Sequence, residues 1–239
     1  MAQPSALLDQ PRPAPDVYLE HAPPRLSLRS VSKTWGRHLR VLDDVDFELP
    51  PGQLTFVAGA NGAGKTTLLR IVAGLVAPER GSVRLDGLDP RRNRALYHRR
   101  LGFVAAGQGG LYARVTVAQH LDLWARLTFV PRRLRRLALE RSLERFALRE
   151  VRGRRVDRLS MGQRQHLRLA MAFLHEPRLV LLDEPRNSLD RDGLGLLNDV
   201  VDDFVGAGGT VVWGAPTGAE APSAGAAVYL LADGKISGG

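Results

Sequence analysis

A glycine-rich loop carries the clearest chemical signal in the sequence. Residues 59–66 read Gly-Ala-Asn-Gly-Ala-Gly-Lys-Thr, which matches the spacing of a loop that holds phosphate groups. Glycines let successive backbone N–H groups turn towards phosphate oxygens, and a helix starting near Lys65 would add the positive end of its dipole. Lys65 would contact the β and γ phosphates, and Thr66 could ligate Mg²⁺. The predicted phosphate site consists of Gly59, Ala60, Asn61, Gly62, Ala63, Gly64, Lys65, Thr66 and Thr67.

Two adjacent carboxylates follow a short apolar run at residues 179–182. At the end of a strand, Asp183 can share a metal ion with Thr66. Successive strand residues point to different sides, so Glu184 can orient and polarise an attacking water. Ordinary turn chemistry is the alternative, and the phosphate loop in the same chain weakens it. Glu184 is therefore the predicted catalytic residue.

A second phosphate-binding candidate lies between these two motifs. Residues 159–163 read Leu-Ser-Met-Gly-Gln and precede an amphipathic helix predicted over residues 164–174. The Ser160 hydroxyl, the Gly162 backbone N–H and the positive helix end can together receive a γ phosphate. By itself, a Ser-x-Gly sequence is equally consistent with a simple helix cap.

These motifs need strands and helices that bring them together, and the hydrophobic pattern supplies candidates. Residues 54–58 form a short apolar run into the glycine loop, and residues 66–75 are predicted to form the helix that follows. Other predicted strands cover residues 26–31, 41–49, 82–85, 101–104, 179–182 and 210–213, with a closing hairpin over 228–231 and 235–236. Strands that alternate with helices predict a mainly parallel sheet covered on both faces.

Helical sequence interrupts this alternation between residues 117 and 152. Pro131 predicts a break between two helices there. The expected apolar stripe of this segment consists of Leu139, Leu143, Phe146 and Ala147. We therefore expect an α/β fold: a P-loop core with a mainly parallel sheet, an antiparallel edge sheet over residues 26–49 and an inserted helical subdomain over about residues 108–165.

Composition limits the classes of protein that fit. A chain of 239 residues with 44% hydrophobic content can bury one substantial core, and no apolar run is long enough to span a bilayer. The proline-bearing residues 1–24 lack the pattern of a secretory signal and are interpreted as a flexible leader. The absence of cysteine excludes disulfides and thiolate metal sites. The net charge of +9 is interpreted as dispersed, arginine-rich composition with a solvated helical face, rather than as a binding patch.

Taken together, the motifs resemble the nucleotide-binding domain of ATP-binding cassette (ABC) transporters over about residues 26–236. The resemblance implies ATP and Mg²⁺ as cofactors, with Thr66 and Asp183 at the metal. It also implies that one subunit completes the site of another in trans, through Ser160, Met161, Gly162 and Gln163. Residues 187–190 match the D-loop at that shared interface, through Ser188, Leu189 and Asp190. Trp35 stands where the family places an aromatic that stacks on adenine, although an exposed loop or a core position would also suit a lone tryptophan.

Two positions depart from the family pattern. A glutamine that touches Mg²⁺ and the attacking water usually follows the Gly-aromatic-Val strand directly, but here the nearby glutamine, Gln108, comes later. Gln108 is nevertheless the candidate third metal contact. The family's switch histidine would fall at Pro216, which has no side-chain donor, and Thr217 could supply only one uncharged hydrogen bond. We expect ATP to bind while hydrolysis at this subunit's own site is slowed.

The resemblance predicts an ATP-hydrolysing subunit that pairs with a second such subunit and drives separate integral membrane permease subunits. It would be peripheral, at the cytoplasmic face of the membrane, and no nucleic acid is expected. Export is favoured because residues 107–117 resemble the corresponding segment of exporter-type members of the family. Two alternatives remain open at this point: a soluble ABC ATPase acting on nucleic acid or ribosomes, and an ATP-binding regulatory subunit with weak hydrolysis.

Overall fold

The chain forms two sheets in a computed structural model, which describes residues 25–36, 39–107, 109–216 and 226–238. The strands are β1 (Leu26–Trp35), β2 (Leu39–Leu49), β3 (Leu54–Gly59), β4 (Arg80–Leu85), β5 (Leu101–Val104), β6 (Leu179–Asp183), β7 (Thr210–Pro216), β8 (Ala227–Ala232) and β9 (Lys235–Gly238). The helices are α1 (Lys65–Val72), α2 (Arg94–Arg99), α3 (Val117–Leu127), α4 (Arg132–Arg145), α5 (Met161–Phe173) and α6 (Arg191–Gly206). Short 3₁₀ turns lie at Arg149–Val151 and Val156–Arg158. The predicted leader, residues 1–24, lies outside the described residues.

The larger sheet has six strands in the order β5-β6-β7-β3-β8-β9. Its pairings are parallel except for β9, which is antiparallel to β8. The smaller sheet has the order β2-β1-β4 and is antiparallel. This arrangement confirms the predicted fold class, and it places β3, which leads into the phosphate loop, beside β7.

Side chains of β6 alternate between two apolar cores on opposite faces of the larger sheet. Leu179 and Leu181 face the core shared with α1 and the antiparallel sheet, whereas Val180 and Leu182 face the core shared with α3 to α6. All four are fully buried. Burying each such side chain contributes roughly 1.5–3 kcal/mol. Asp183 is therefore the last residue of a strand that is buried on both faces and lies between β5 and β7.

The helix boundaries show where local sequence signals were sufficient. The capping box of Thr116 and Gln119 starts α3, and α4 begins directly after Pro131, as predicted. The stripe predicted to run on to Ala147 is wrong at its end. Here α4 stops at Arg145, and Ala147 is exposed with a left-handed φ of 52°.

The helix α1 is shorter than predicted. It ends at Val72, and Gly74, with φ of 69°, terminates the turn that the sequence prediction extended to residue 75. A Cβ at Gly74 would lie 2.7 Å from the Cβ of Pro90.

Within the described ranges, no helix combines the length and the apolar character needed to cross a bilayer.

Candidate functional site

The phosphate loop joins the end of β3 to the first residue of α1. Gly62 and Gly64 have φ values of 83° and 106°, a region that strains residues with a Cβ. A Cβ at Gly64 would lie 2.6 Å from the carbonyl oxygen of Val41, and one at Gly59 would lie 2.6 Å from that of Leu231. The loop therefore depends on glycine both for its backbone conformation and for its close approach to neighbouring strands.

Lys65 lies across this loop and is only 5% exposed. Its Nζ donates hydrogen bonds to the carbonyl oxygens of Gly59, at 2.7 Å, and Ala60, at 3.0 Å. A buried ammonium needs such partners. These contacts hold the ammonium group of Lys65 next to the phosphate loop and the amino end of α1. Backbone N–H groups at such an end stabilise a bound phosphate.

Thr66 and Asp183 meet although they are 117 positions apart in sequence. The Thr66 hydroxyl Oγ1 donates to Asp183 Oδ1 at 3.3 Å, and the backbone N–H of Ala106 donates to Asp183 Oδ2 at 3.4 Å. Hydroxyl and carboxylate oxygens are the ligands that Mg²⁺ prefers, together with phosphate oxygens of the nucleotide. This donor set fits the predicted metal, with Thr66 and Asp183 as its protein ligands.

Asp183 is buried, with 1% of its surface exposed. Burial raises its pKa above the ordinary value, and the hydrogen bonds from Thr66 and Ala106 offset this only in part. The neighbouring carboxylate of Glu184 raises the pKa further. A cation bound next to Asp183 would stabilise the charged carboxylate and so oppose this rise in pKa.

Glu184 follows Asp183 in a left-handed conformation, with φ of 49°. Its backbone N–H donates to the carbonyl oxygen of Gly214 in β7 at 3.0 Å. Its side chain is held by Asn187, whose Nδ2 donates to Glu184 Oε2 at 3.1 Å. Strained backbone conformations of this kind persist where neighbouring structure enforces them, often at functional sites. The predicted catalytic carboxylate is therefore fixed at both its backbone and its side chain.

Trp35 lies beside the first turn of α1, as the predicted nucleobase contact requires. Its indole Nε1 donates to the hydroxyl of Thr67 at 3.2 Å, and Lys33 Nζ lies 4.8 Å from the centroid of the ring. The side chain is 42% exposed, so it belongs to neither apolar core. The geometry is compatible with stacking on a base, which stays a prediction.

The four residues predicted to act in trans, here called the signature, form the start of α5; they are Ser160, Met161, Gly162 and Gln163. The backbone N–H of Gln163 donates to Ser160 Oγ, and the N–H of Ser160 donates to Gln163 Oε1, each at 3.1 Å. These two bonds form a capping box, which starts α5 at Met161 rather than at the predicted residue 164. Met161 is 57% exposed. Ser160 is thus both the helix cap that the sequence allowed and an exposed group at a positive helix end.

The predicted D-loop residues lie next to this helix start. A Cβ on Gly162 would lie 3.4 Å from the carbonyl oxygen of Ser188, which itself has φ of 72°. Leu189 is half-buried. Asp190 caps α6, because its Oδ1 accepts a hydrogen bond from the N–H of Gly193 at 2.9 Å. The signature and the D-loop are therefore neighbours in the same chain.

Sequence reasoning missed two polar residues of α5. The Arg168 guanidinium donates to the carbonyl oxygens of Ala105 and Gly107, and to Gln165 Oε1 at 3.1 Å. Gln165 Nε2 in turn donates to the carbonyl oxygen of Pro185 at 2.8 Å. This chain of contacts ties the signature helix to the backbone after β5 and to the residue that follows Glu184.

A sequence signal for these residues exists. Gln165 and Arg168 are spaced i, i+3 on a helix whose neighbouring positions, Leu167 and Leu169, are fully buried. A polar side chain at a buried position, such as Gln165 at 3% exposure, needs a hydrogen-bond partner. Burial lowers the pKa of the Arg168 guanidinium, which is consistent with its enclosed position.

Of the two positions that depart from the family pattern, Pro216 lies within the described residues and Gln108 does not. Pro216 is the last residue of β7, is exposed, and pairs in register with Gly59, the first glycine of the phosphate loop. It therefore lies beside the mouth of the loop. Gln108 and Thr217, the predicted metal contact and the possible substitute donor, both lie outside the described residues.

Comparison with known proteins gives a consistent assignment. A sequence model of the family described as ABC transporter matches residues 42–187. The ATP-binding protein NatA of Bacillus subtilis is 36% identical over 152 residues, which are 64% of this chain and 62% of NatA. YbhF of Escherichia coli, named as a probable multidrug ABC transporter ATP-binding protein, is 37% identical over 71% of this chain and 29% of its own length. CysA of Gloeobacter violaceus, a sulfate/thiosulfate import protein, is 39% identical over 67% of this chain and 46% of its own. This chain spans less than two-thirds of each relative.

Solved structures agree with the fold. The structure of an ATP-binding subunit of an ABC transporter superimposes with a TM-score of 0.80 at 26% identity, covering 88% of this chain and 87% of that one. A dimeric ATP-binding cassette in a post-hydrolysis state, bound to ADP and Pi, shares the fold with a TM-score of 0.75 at 24% identity, covering 88% of this chain and 96% of that one. Since the matched family region includes the phosphate loop and the Asp183–Glu184 pair, the chain belongs to the ABC transporter family and carries its ATP-binding domain.

Proposed function

We propose that this chain is an ATP-hydrolysing subunit that drives a separate membrane permease, for export, at the cytoplasmic face of the membrane. The observation that carries this proposal is the contact between Thr66 and Asp183, which joins the phosphate loop to the end of β6 beside Glu184. An isolated phosphate loop would indicate nucleotide binding alone. A loop joined to a metal ligand and a fixed carboxylate has the parts for hydrolysis.

Each residue of this cluster has a distinct role in the proposal. The loop N–H groups and Lys65 would bind the phosphates, and Thr66 and Asp183 would hold Mg²⁺, which would neutralise charge on the phosphate oxygens. Glu184 accepts a proton from the attacking water, and Asn187 keeps its carboxylate oriented. Trp35 supports the nucleobase, and Gln108 adds a metal contact.

A second copy, or a related subunit, completes the site. Ser160 and Gly162 present a hydroxyl and an N–H at the exposed, positive end of α5. A γ phosphate on another subunit's loop could accept hydrogen bonds from both. ATP would then favour the closed pair over the open one, and hydrolysis would reopen it.

The proposed docking site for the permease is an apolar groove of about 570 Å³. Leu75, Leu127 and Phe129 line it and are 61%, 55% and 59% exposed. Exposed apolar side chains concentrated in one groove are typical of an interaction site. We infer that an amphipathic helix of the membrane subunit binds there. The relatives' names support a transporter, and one structural neighbour is described as part of an ABC transporter complex.

The direction of transport and the rate of turnover are the finer parts of the proposal. The relatives include a multidrug and an import protein, so export is favoured only by the exporter-like sequence of residues 107–117. Slow hydrolysis is favoured by Pro216, which pairs with Gly59 at the loop and offers no donor for a phosphate. This same feature supports the regulatory alternative, in which ATP binds with little turnover.

The test is phosphate release by the purified chain with and without Glu184→Gln. We expect ATP to bind both proteins, and the variant to lose turnover by about 10² or more. Glu150→Gln, at an exposed carboxylate outside the site, is the matched control. Wild-type turnover that survives Glu184→Gln would overturn the assignment. Co-purification tests whether a permease binds. An integral membrane protein should co-purify with the wild-type chain and should be lost with Leu75→Asp.

A further inference from the structure

The positive charge of the chain is concentrated in one segment, contrary to the dispersed distribution expected from composition. Residues 126–158 contain twelve arginines and four acidic residues, a net charge of +8, and the rest of the chain carries +1. Such asymmetry is a sign of interaction with a polyanion. The segment runs from the end of α3, through α4, to the signature helix.

Five of these arginines line one open cleft of about 900 Å³ between α3 and α4. They are Arg126, Arg132, Arg135, Arg136 and Arg152. The cleft also contains two carboxylates, and each is already paired: Asp122 with Arg126 at 2.8 Å, and Glu140 with Arg152 at 3.4 Å. The remaining arginines give the cleft a positive surplus.

Two of the remaining arginines have no partner within the described part of the chain. Arg132 and Arg136 are exposed, and neither makes an ion pair or a hydrogen bond there through its side chain. They are spaced i, i+4, so their like charges repel each other on α4. They also lie near the positive end of that helix, whose first turn has no acidic residue. Arg135 donates its Nε to the carbonyl oxygen of Val130 at 2.9 Å, which leaves its charge uncompensated.

We propose that this arginine cleft binds the phosphate groups of anionic lipids at a membrane surface. Guanidinium groups match phosphate oxygens with paired hydrogen bonds, and a bound anion would relieve the repulsion between Arg132 and Arg136. An open cleft with several arginines fits a surface of headgroups better than one enclosed ligand. The choice of a membrane over other polyanions rests on the proposed function, because a transporter subunit works beside anionic lipids.

The cleft is separate from the groove assigned to the permease. On α3, Gln119, Asp122 and Arg126 line the cleft, whereas Trp124 and Leu127 line the groove. With 3.6 residues per turn, these two sets lie on different sides of α3. A permease helix in the groove therefore leaves the arginine side chains of the cleft uncovered.

The experiment is flotation of the whole chain with phosphatidylcholine vesicles, with and without phosphatidylglycerol, and with no nucleotide or permease. We expect binding that requires phosphatidylglycerol and weakens with added salt. The double variant Arg132→Gln/Arg136→Gln should reduce binding about tenfold. The matched control Arg80→Gln/Arg92→Gln removes two exposed arginines outside the segment and should bind as the wild type does.

Other results would overturn the proposal. They are absence of vesicle binding, equal binding to neutral vesicles, or equal loss in both double variants. Binding of duplex DNA or RNA that depends on Arg132 and Arg136, without vesicle binding, would replace the lipid with nucleic acid. Since no ATP is present, failure here is distinguishable from failure of the proposed ATPase, which phosphate release measures separately.

Discussion

The phosphate-loop side and the signature side of the proposed nucleotide chemistry are built in different ways. On the first side, Lys65 and Asp183 are 5% and 1% exposed and are hydrogen-bonded to residues of other elements. On the second side, Ser160 and Gln163 satisfy each other within one helical turn, and Met161 is 57% exposed. One side is an enclosed site, and the other is a finished helix end facing outward.

This difference indicates what each side would contribute to the proposed pair of subunits. The enclosed side requires the whole tertiary structure, because its members come from β3, α1, β6 and the segment after β5. The signature side requires only its own capping box, which typically stabilises a helix by about 1 kcal/mol. A preformed, self-contained donor surface is what a second subunit's nucleotide could use without rearrangement.

The largest effect is expected from complementation between two inactive chains. Lys65→Ala should abolish phosphate binding, and Gly162→Asp should repel a γ phosphate, so each should lose turnover by about 10² or more. If the signature acts in trans, mixing the two variants restores one intact composite site, and phosphate release should rise at least about tenfold above either alone.

The control for this mixture is Lys65→Ala combined with the double variant Lys65→Ala/Gly162→Asp. This pair contains no intact loop, so it should stay inactive. A mixture of the two single variants that is no more active than this control would show that both motifs act within one chain.

A second test concerns the edge of the enclosed side. Pro216→His would place an imidazole beside Gly59, where it could contact the γ phosphate. We expect turnover to rise about tenfold, because proton transfer and charge stabilisation by a positioned side chain are worth that much or more. Pro216→Ala is the control and should give no increase. Unchanged turnover in both variants would show that this position does not limit hydrolysis.

A smaller effect on turnover is expected from changing Arg168, which connects the two sides. Arg168 connects the signature helix to the carbonyls of Ala105 and Gly107. Arg168→Gln should lower kcat roughly three- to tenfold while leaving KM for ATP nearly unchanged, since it acts on positioning and not on binding. Arg164→Gln changes the same residue type on the same helix and should leave kcat intact. A change in KM alone would contradict the positioning role.

The smallest effect concerns Asp183, where stability and activity should respond to substitution in opposite directions. Because the pKa of Asp183 is raised in the folded state, the folded chain holds this proton to higher pH than the unfolded chain does. The free energy of unfolding therefore falls as pH rises from the ordinary value of 3.8 through the raised one. Asp183→Asn should remove this loss and raise the Tm at neutral pH by about 2 °C, while abolishing Mg²⁺-dependent turnover. A lower Tm, measured by calorimetry without Mg²⁺, would contradict this.

Much of the fold and part of the site could be predicted from local patterns. The glycine loop of residues 59–66, the strand before it and the helix after it are adjacent in sequence, so their order follows from spacing alone. Asp183 was placed correctly at a strand end because the apolar run before it has strand length. The errors lie at helix ends, such as Ala147, where a left-handed residue stops a pattern that otherwise continues.

Contacts between distant parts of the chain could not be predicted in this way. The reach of Arg168 to Ala105 and Gly107 spans more than sixty positions and depends on how α5 packs against β5. The arginine cleft likewise exists only because α3 and α4 face each other. The phosphate loop, the acidic pair and the cap at Ser160 follow from local residue patterns, because backbone conformation and capping are local. The contact between Thr66 and Asp183 and the outward position of Ser160 follow from packing, which sets burial and long-range contacts.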